Sequence, residues 1–320
     1  MFSKYDAWDI MSQSGDNVVI ATHHGPDGDA VGACFALAQA LITSGIYPKI
    51  ILDKYNEKFD VVKGKAFIHH GDATELPCDL FIAVDCADFS RVHAPRTLFD
   101  RAKITVNIDH HINNGNFARH NFVDTTAAST CEIIFNIINM FVPINKYMAA
   151  ALYMGMLTDT GGFRYSATTP KTMEIAGLLM STGFDFGGIQ REVIFSKSKA
   201  EVAAFTKALQ NLKYCEDSGI AFSALTLDDM AQIGVKRTDL EGIVEYFLDI
   251  RGIEAAALFL ERENGHVKVS LRSHAIDVSK VANRFDGGGH KFAAAADFEA
   301  GFEEGKKQVL EILEQAVLYA

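Results

Sequence analysis

The residues of this sequence best suited to chemistry form the stretch Asp109-His110-His111, which sets one carboxylate beside two imidazoles. The stretch follows the apolar, β-branched run Ile104–Ile108, and such a run is typical of a buried strand in a parallel sheet. Ligands of open α/β sheets bind just beyond the carboxyl ends of strands. We therefore predict that this strand brings all three polar side chains to one site.

A second group has the spacing His23-x-x-x-Asp27-x-Asp29 and directly follows the apolar run Val18–Thr22. Carboxylate oxygens with one imidazole nitrogen suit Mn²⁺ or Mg²⁺. The same residues are also compatible with an Asx turn that only caps the following helix. The adjacent His24 is interpreted as structural.

Two further aspartates lie at the ends of predicted elements. Asp85 follows the apolar run Leu80–Val84, and Asp159 lies between a predicted helix and the turn Gly161-Gly162. Considered alone, each aspartate is either a metal ligand or a residue that only caps the neighbouring element. If the strands that precede these acids share one sheet, the carboxylates converge and repel, and a divalent metal is the usual remedy.

The second half of the chain contains a glycine run, Gly287-Gly288-Gly289-His290, followed by Lys291. Glycine backbone N–H groups can approach an anion closely, and His290 and Lys291 add cationic donors. Residues 264–291 contain five Lys and Arg against two acids, although the chain has a net charge of −11. An anion site is therefore predicted here, with a tight connection between strands as the alternative.

The elements that must position these residues alternate between strands and helices, which predicts an α/β fold. We expect a mainly parallel sheet of about five strands flanked by helices, a smaller α/β C-terminal domain, and an active site in the cleft between the domains. The predicted boundaries are 1–183, a connecting segment 184–214, and 215–320. The strands predicted for the first domain are Val18–Thr22, Lys49–Leu52, Ala66–His70, Leu80–Val84 and Ile104–Ile108.

Bulk properties exclude several classes of protein. The acidic charge argues against binding of long duplex nucleic acid, whose affinity comes mostly from phosphate neutralisation. No stretch approaches the ~20 apolar residues of a membrane span, so no membrane partner is expected. The five cysteines are an odd number without a Cys-x-x-Cys pair, and we expect a cytoplasmic protein.

Taken together, the motifs resemble those of the DHH phosphoesterase family, over about residues 16–300. The stretch Asp109-His110-His111 corresponds to the motif that names the family, and the glycine run resembles its DHH-associated C-terminal domain. The residues that match the other motifs are His23, Asp27, Asp29, Asp85 and Asp159. Two departures, Asp286 and Ala293–Ala296, lie in positions where relatives often have glycine.

The resemblance implies two Mn²⁺ ions, with Mg²⁺ as the alternative. It assigns one ion to His23, Asp27 and Asp85, and the other to Asp29, Asp85, His110 and Asp159. It gives His111 a contact with the scissile phosphate and makes Asp109 a support for the imidazoles. In the second domain it assigns substrate binding to Arg272, Ser273 and Gly287–His290.

The resemblance further implies hydrolysis of short single-stranded RNA to 5′-mononucleotides, and of 3′-phosphoadenosine 5′-phosphate (pAp) to AMP. This activity is of the exoribonuclease and bisphosphate nucleotidase type. The alternatives are a pyrophosphatase or exopolyphosphatase, a phosphodiesterase of the linear dinucleotide pApA, and a nucleotide-binding module without activity. A homodimer is one assembly to consider.

Overall fold

The computed structural model describes residues 3–13, 15–215, 218–235, 240 and 242–319. The chain divides into two compact units, Met1–Ser196 and Lys197–Ala320. The division lies inside the segment 184–214. Each unit has its own sheet and its own apolar core.

The first unit is built on a sheet of five strands, all paired in parallel in the described part of the chain. The strands lie in the order β2-β1-β3-β4-β5. They are β1 (Val18–Ala21), β2 (Lys49–Ile51), β3 (Leu80–Val84), β4 (Ile104–Asp109) and β5 (His120–Val123). The predicted parallel α/β sheet is thus confirmed.

Helices cover both faces of this sheet. Leu80, Ile82 and Val84 of β3 pack into one apolar cluster with the helix that follows β1, whereas Phe81 and Ala83 pack into another with the helix that precedes β4. This alternation follows from the two-residue period of a strand, and burial on both faces explains the continuous apolar runs in the sequence. The helices are α1 (Lys4–Gln13), α2 (Gly28–Thr43), α3 (Arg96–Arg101), α4 (Thr130–Ile138), α5 (Lys146–Asp159), α6 (Pro170–Met180) and α7 (Phe186–Gln190).

One predicted strand of the first unit is wrong and one strand was missed. The segment Ala66–His70 contributes a 3₁₀ turn, Lys65–Phe67, and a single bridge between Ile68 and Ile50. The fifth strand is instead β5, which pairs in parallel with β4. Its sequence, His-Asn-Phe-Val, has too little apolar character to indicate a strand by itself. Backbone pairing with β4 makes this segment a strand.

The second unit contains a sheet of six strands in the order β10-β11-β9-β8-β7-β6, as far as the described residues show. Only β7 and β8 pair in parallel among these strands. The elements are α8 (Lys199–Gln210), β6 (Lys213–Cys215), β7 (Ile220–Leu225), α9 (Leu227–Ile233), α10 (Ile243–Leu248), β8 (Ala255–Glu261), β9 (His266–Ser273), α11 (Val278–Ala282), β10 (Gly288–His290), β11 (Ala293–Glu299) and α12 (Phe302–Leu318). Across the described helices of both units, none is long and apolar enough to cross a membrane.

The sequence pattern of the second half predicts helices over Lys199–Tyr214 and Asp239–Leu248, and the structure differs from both predictions. The helix expected to run from Lys199 to Tyr214 ends at Gln210, and Tyr214 belongs to β6, which pairs with β7. The helix expected over Asp239–Leu248 begins at Ile243, and Asp239 lies outside the described residues. Asn211 caps the first of these helices, and pairing with β7 makes a strand of the residues that follow.

Candidate metal centre

The polar residues that follow β1, β3 and β4 meet at one edge of the first sheet. This convergence arises because β3 lies between β1 and β4, and parallel strands end at the same edge. Potential ligand atoms lie within 4.8 Å of one another in three groups. These groups are His23, Asp27 and Asp85; Asp29, His110 and Asp159; and Asp85, His110 and His111.

Asp85 is the carboxylate that these groups share. Its Oδ2 lies 3.7 Å from Nε2 of His23, and its Oδ1 lies 3.7 Å from Nε2 of His110. Its backbone is left-handed, with φ of 58°, which aspartate tolerates better than most residues. Burial opposes ionisation, but the contacts with His23, His110 and His111 outweigh it and hold the pKa of Asp85 below its usual range.

His23 has a defined tautomer in its neutral form. Its Nδ1 lies 2.9 Å from the carbonyl oxygen of His24, and since a carbonyl only accepts, Nδ1 must donate. The lone pair then belongs to Nε2, the atom that faces Asp85. A histidine whose other nitrogen donates to a backbone carbonyl is the usual arrangement for a metal ligand.

Asp27 combines the two roles that its sequence position allowed. It is the N-cap of α2, and its Oδ1 accepts hydrogen bonds from the backbone N–H groups of Asp29 and Ala30, both at 3.0 Å. Its carboxylate is also within reach of His23 and Asp85. The Asx turn therefore occurs, and it does not exclude ligation because it holds one oxygen in place.

Asp29 belongs to α2 and is completely buried, and its side chain contacts the N-terminus of α4. Its two oxygens accept hydrogen bonds from the backbone N–H groups of Thr130, at 2.6 Å, and Cys131, at 2.9 Å. Burial, together with the charge of Asp85, nevertheless raises the pKa of Asp29 to about 7. The carboxylate therefore lacks compensating positive charge in the protein alone.

Asp159 is the last residue of α5, and its Oδ2 lies 3.1 Å from Nε2 of His110. Burial raises the pKa of Asp159 to about 10, with further contributions from Asp29 and Asp85. A carboxyl group that holds its proton this strongly beside other acids indicates a place where a cation is needed.

Asp109 and His111 form a separate pair beside these acids. Nδ1 of His111 lies 2.7 Å from Oδ1 of the fully buried Asp109. This hydrogen bond is the main reason that the pKa of His111 is raised above its usual value. The side-chain amide of Asn114 donates to Oδ2 of Asp109 at 2.5 Å and to Oδ1 of Asn107 at 2.8 Å.

Sequence reasoning missed Thr130 and Asn114. The Thr130 hydroxyl donates to Oδ1 of Asp85 at 3.0 Å, and its backbone N–H donates to Asp29, so this residue contacts both acidic groups. The only sequence signal was Ser129 ahead of an apolar run, which indicates a helix start and no more. Asn114 has no signal in the sequence at all.

The glycine run of the second unit is a strand from Gly288 onward and not an open loop. Gly288, Gly289 and His290 form β10, paired with Ala295, Ala294 and Ala293 of β11. At Gly289 the φ angle is 145°, and an added Cβ would lie 2.5 Å from the carbonyl oxygen of Ala293. Close pairing with β11 therefore requires glycine here. Asp286, the expected departure from the family pattern, has φ of 54°, a backbone conformation that glycine adopts without strain.

Arg272 and Ser273 lie at the end of β9, and both side chains have partners. Nε and Nη2 of Arg272 lie 2.9 and 2.8 Å from Oε1 of Glu245, and Nη1 donates to the Leu271 carbonyl. The Ser273 hydroxyl donates to the Ile276 carbonyl at 2.5 Å. Arg272 and His290 both pair with Ala293, from opposite sides, so they lie in one row across the sheet.

Two domain families match the chain in order. Residues 17–156 match the DHH family, N-terminal domain, and residues 218–318 match the DHHA1 domain. The first range contains every member of the acidic groups except Asp159, and the second contains Arg272, Ser273 and the glycine run.

Individual proteins are similar to the chain along nearly its whole length. A Streptococcus mutans protein named "Probable bifunctional oligoribonuclease and PAP phosphatase NrnA" is 32% identical over 286 residues, covering 88% of this chain and 89% of that protein. A Thermus thermophilus protein named "Bifunctional oligoribonuclease and PAP phosphatase NrnA" is 28% identical over 308 residues, covering 95% and 91%. The crystal structure of an exopolyphosphatase-related protein from Bacteroides fragilis superposes with a TM-score of 0.89 at 26% identity, covering 99% of this chain and 96% of that one.

Proposed function

Because this chain belongs to the DHH family, we propose that it is a two-metal phosphoesterase that hydrolyses short oligoribonucleotides to 5′-mononucleotides and pAp to AMP. The observation that carries the proposal is the position of Asp85 between His23 and His110, at 3.7 Å from the Nε2 atom of each. A carboxylate placed in this way can bridge two cations. Two-metal phosphoesterases hold their ions ~4 Å apart and need such a shared anion.

The donor atoms fit two divalent ions. One ion would be held by His23, Asp27 and Asp85, and the other by Asp29, Asp85, His110 and Asp159. The raised pKa values of Asp29 and Asp159, at about 7 and about 10, support the fit, because they report carboxylates crowded without enough positive charge. Oxygen donors dominate both sets, which favours Mn²⁺ or Mg²⁺, and the histidine in each favours Mn²⁺.

The chain's own residues supply the remaining chemistry. When bound, the ions would provide Lewis acidity and positive charge at the phosphoryl group. Protonated His111 would donate a hydrogen bond from Nε2 to a phosphate oxygen while its Nδ1–H donates to Asp109. The raised pKa of His111 favours this protonated form. Asp109 would act as a positioning residue, because it is fully buried and lies within hydrogen-bond distance of His111.

The second unit offers the groups that would bind the rest of the substrate. Arg272 and His290 lie in one row across β9, β11 and β10, and both are cationic or can become so. Ser273 and Gly287–Gly289 flank this row. We propose that the row binds a phosphate or nucleoside of the substrate. The names of the Streptococcus mutans and Thermus thermophilus relatives support these substrate classes.

A second candidate is an exopolyphosphatase or pyrophosphatase, favoured by the description of the Bacteroides fragilis protein. The same acidic groups could serve that reaction, since it also breaks a bond to phosphorus. An exopolyphosphatase or pyrophosphatase would not need Arg272 and His290 to bind a nucleoside. Substrate preference therefore separates the two candidate functions. The linear dinucleotide pApA remains a further candidate substrate within the main proposal.

The test is a panel of substrates under defined metal conditions. The purified chain would be incubated with pAp, RNAs of 2 to 10 nucleotides, pApA, pyrophosphate and polyphosphate, each in Mn²⁺, Mg²⁺ or EDTA. We expect turnover of pAp and the shortest RNAs in Mn²⁺, falling with RNA length, and none in EDTA. Preference for pyrophosphate or polyphosphate would replace the proposal with the second candidate, and nucleotide binding without turnover would indicate a binding module.

Three broader predictions accompany this function. We propose a DHH domain over 1–183, a connecting segment 184–214 and a DHHA1 substrate domain over 215–320. We also propose a cytoplasmic protein that forms a homodimer. Limited proteolysis would test the boundaries, and light scattering after gel filtration would test the assembly.

A further inference from the structure

A further cluster of potential metal ligands lies apart from the three groups described above. Nδ1 of His24 lies 3.3 Å from Oδ2 of Asp53 and 3.0 Å from Nδ1 of His93. Nδ1 of His93 lies 3.8 Å from the same Asp53 oxygen. The cluster shares no residue with the groups around Asp85.

Hydrogen bonding alone accounts poorly for this geometry. Each imidazole nitrogen carries either one proton or one lone pair, so Nδ1 of His24 can make one good hydrogen bond. It nevertheless faces two acceptor-capable atoms, on His93 and Asp53, and those two atoms also face each other. Three potential metal-ligand atoms within 3.8 Å of one another are the pattern of a cation site.

The separations also match a tetrahedral metal ion. The circle through three points separated by 3.0, 3.3 and 3.8 Å has a radius of about 2.0 Å, which is close to Zn–N and Zn–O bond lengths of about 2.0–2.2 Å. An ion just above the plane of the three atoms would therefore reach all of them. The two imidazole rings are nearly perpendicular, at 86°, so they do not block each other.

The cluster is held in place from outside. The Asp53 carboxylate accepts hydrogen bonds from the backbone N–H groups of Gly25, at 3.1 Å, and Lys54, at 2.7 Å. The two histidines are carried by paired backbone segments, in which His24 N–H donates to the Arg91 carbonyl and His93 N–H donates to the Thr22 carbonyl. Such supporting contacts reduce the ordering cost of binding an ion.

We propose that His24, Asp53 and His93 form a third metal site that binds Zn²⁺ and leaves its fourth position to water or another small ligand. Two imidazoles and one carboxylate are a ligand set that zinc commonly takes with an open position. The nitrogen-rich set favours Zn²⁺ over Mn²⁺ more strongly than the oxygen-rich groups around Asp85 do. The His24 side chain is 60% exposed, so an ion can reach the site from solvent.

The proposed zinc site includes a residue of the segment between β1 and α2, which also carries His23 and Asp27. His24 is adjacent to His23, whose Nδ1 donates to the His24 carbonyl. An antiparallel bridge between His23 and Val92 joins the loop after β1 to the segment that carries His93. Zinc would tie these two segments and Asp53 together, and would stabilise the folded state by mass action.

The experiment counts metals on the intact chain. Wild-type protein and the variants His24→Ala, His93→Ala and Asp53→Asn would be saturated with Mn²⁺, dialysed against low Zn²⁺, and analysed for both metals by mass spectrometry. His70→Ala removes another exposed histidine of the same unit and is the matched control. The Zn²⁺-induced rise in Tm would be recorded for each protein, with Tm in EDTA as the check on folding.

We expect wild type and His70→Ala to bind one more Zn²⁺ equivalent than each of the three cluster variants, at unchanged Mn²⁺ content. We also expect the Zn²⁺-induced rise in Tm to fall by at least half in the variants. Equal Zn²⁺ content in wild type and His93→Ala would overturn the proposal. So would loss of the equivalent in His70→Ala, or uptake of Zn²⁺ only in exchange for Mn²⁺, which would assign zinc to the groups around Asp85.

Discussion

Oδ1 of Asp109 lies 2.7 Å from Nδ1 of His111, and the carboxylate is buried whereas the imidazole is partly exposed. The last residue of β4 thus orients a ring two positions further on, beyond the end of the strand. Asn114 holds the other oxygen of Asp109, so the carboxylate has little freedom to turn. The orientation of His111 is therefore set by the sheet itself.

His111→Ala should lower kcat without removing metal. If His111 contacts phosphate and holds no ion, we expect kcat to fall by about 10²-fold or more, a typical loss for one stabilising donor. Metal content should equal that of wild type in mass spectrometry. Asp109→Asn should act through His111, shifting the pH profile of kcat because it weakens the hydrogen bond that raises the pKa of the imidazole. Loss of Mn²⁺ from His111→Ala would reassign this residue as a ligand.

Asp85→Asn should be the most damaging single change to activity. It removes charge from both proposed ion sites, and we expect kcat to fall by at least ~10³-fold. Asparagine suits the left-handed backbone at φ of 58° and preserves the side-chain volume, so Tm should change little. Asp85→Ala would lose activity equally but would also add backbone strain. An Asp85→Asn protein that keeps more than a tenth of wild-type kcat would disprove the bridging role.

Thr130→Val should weaken metal binding while leaving the ligands intact. Valine keeps the shape of threonine but removes the hydroxyl that donates to Asp85 at 3.0 Å. Loss of such a supporting contact typically lowers metal affinity by about 10–100-fold. The Mn²⁺ concentration for half-maximal activity should rise accordingly, and activity should recover at high Mn²⁺. Thr126→Val, an exposed threonine before the same helix, is the control, and identical Mn²⁺ curves would reject the role of Thr130.

Arg272→Lys should impair binding of nucleotide substrates selectively. Lysine keeps the positive charge near Glu245 but loses the fork that grips a phosphate. We expect KM for a dinucleotide to rise about tenfold, which corresponds to a loss of about 1.4 kcal/mol of binding free energy. Hydrolysis of a generic phosphodiester with no second nucleotide should be unchanged. Arg262→Lys, whose arginine pairs with Asp297 in the same unit, is the control. An equal loss on both substrates would remove Arg272 from substrate recognition.

The metal-free protein should lose stability as the pH rises. Burial, with nearby carboxylates, raises the pKa of Asp29 to about 7 and that of Asp159 to about 10, whereas both titrate near ~4 in an unfolded chain. Between these values the folded state binds more protons than the unfolded state, so the free energy of unfolding falls with rising pH. In EDTA, Tm should decline from about pH 5 to pH 8.

Two comparisons make this stability prediction specific. Mn²⁺ should remove most of the decline, because it neutralises the same carboxylates. Asp159→Asn should show a shallower slope in EDTA, because one of the two groups can no longer titrate. A Tm that rises over this range in EDTA would show that these carboxylates are not crowded as described.

Much of the candidate site was accessible from the sequence because it depends on chain order. His23, Asp85 and His110 each follow an apolar run, and parallel strands necessarily end at the same edge of a sheet. Recognising three such runs was therefore enough to predict that their polar ends meet. The sequence pattern also predicted Asp159 at the end of a helix, where it lies in the structure.

Features that depend on pairing between distant residues could not be predicted from the sequence. β5 and β10 have little strand character of their own, and they exist because β4 and β11 offer open edges for backbone hydrogen bonds. The run Ala66–His70 looked more like a strand than β5 does, yet it makes only a single bridge. Intrinsic preference is weak beside such tertiary pairing.

The same distinction separates the acidic groups from the residues around them. The sequence by itself determined the ligand types and their spacing, because His23, Asp27 and Asp29 lie close together along the chain. The tertiary structure alone decided that Thr130 contacts Asp85, and that His24, Asp53 and His93 converge. Thr130 and Asp85 are 45 positions apart along the chain, and His24 is 29 positions from Asp53 and 69 from His93. Only the packed fold determines which side chains of such distant segments meet.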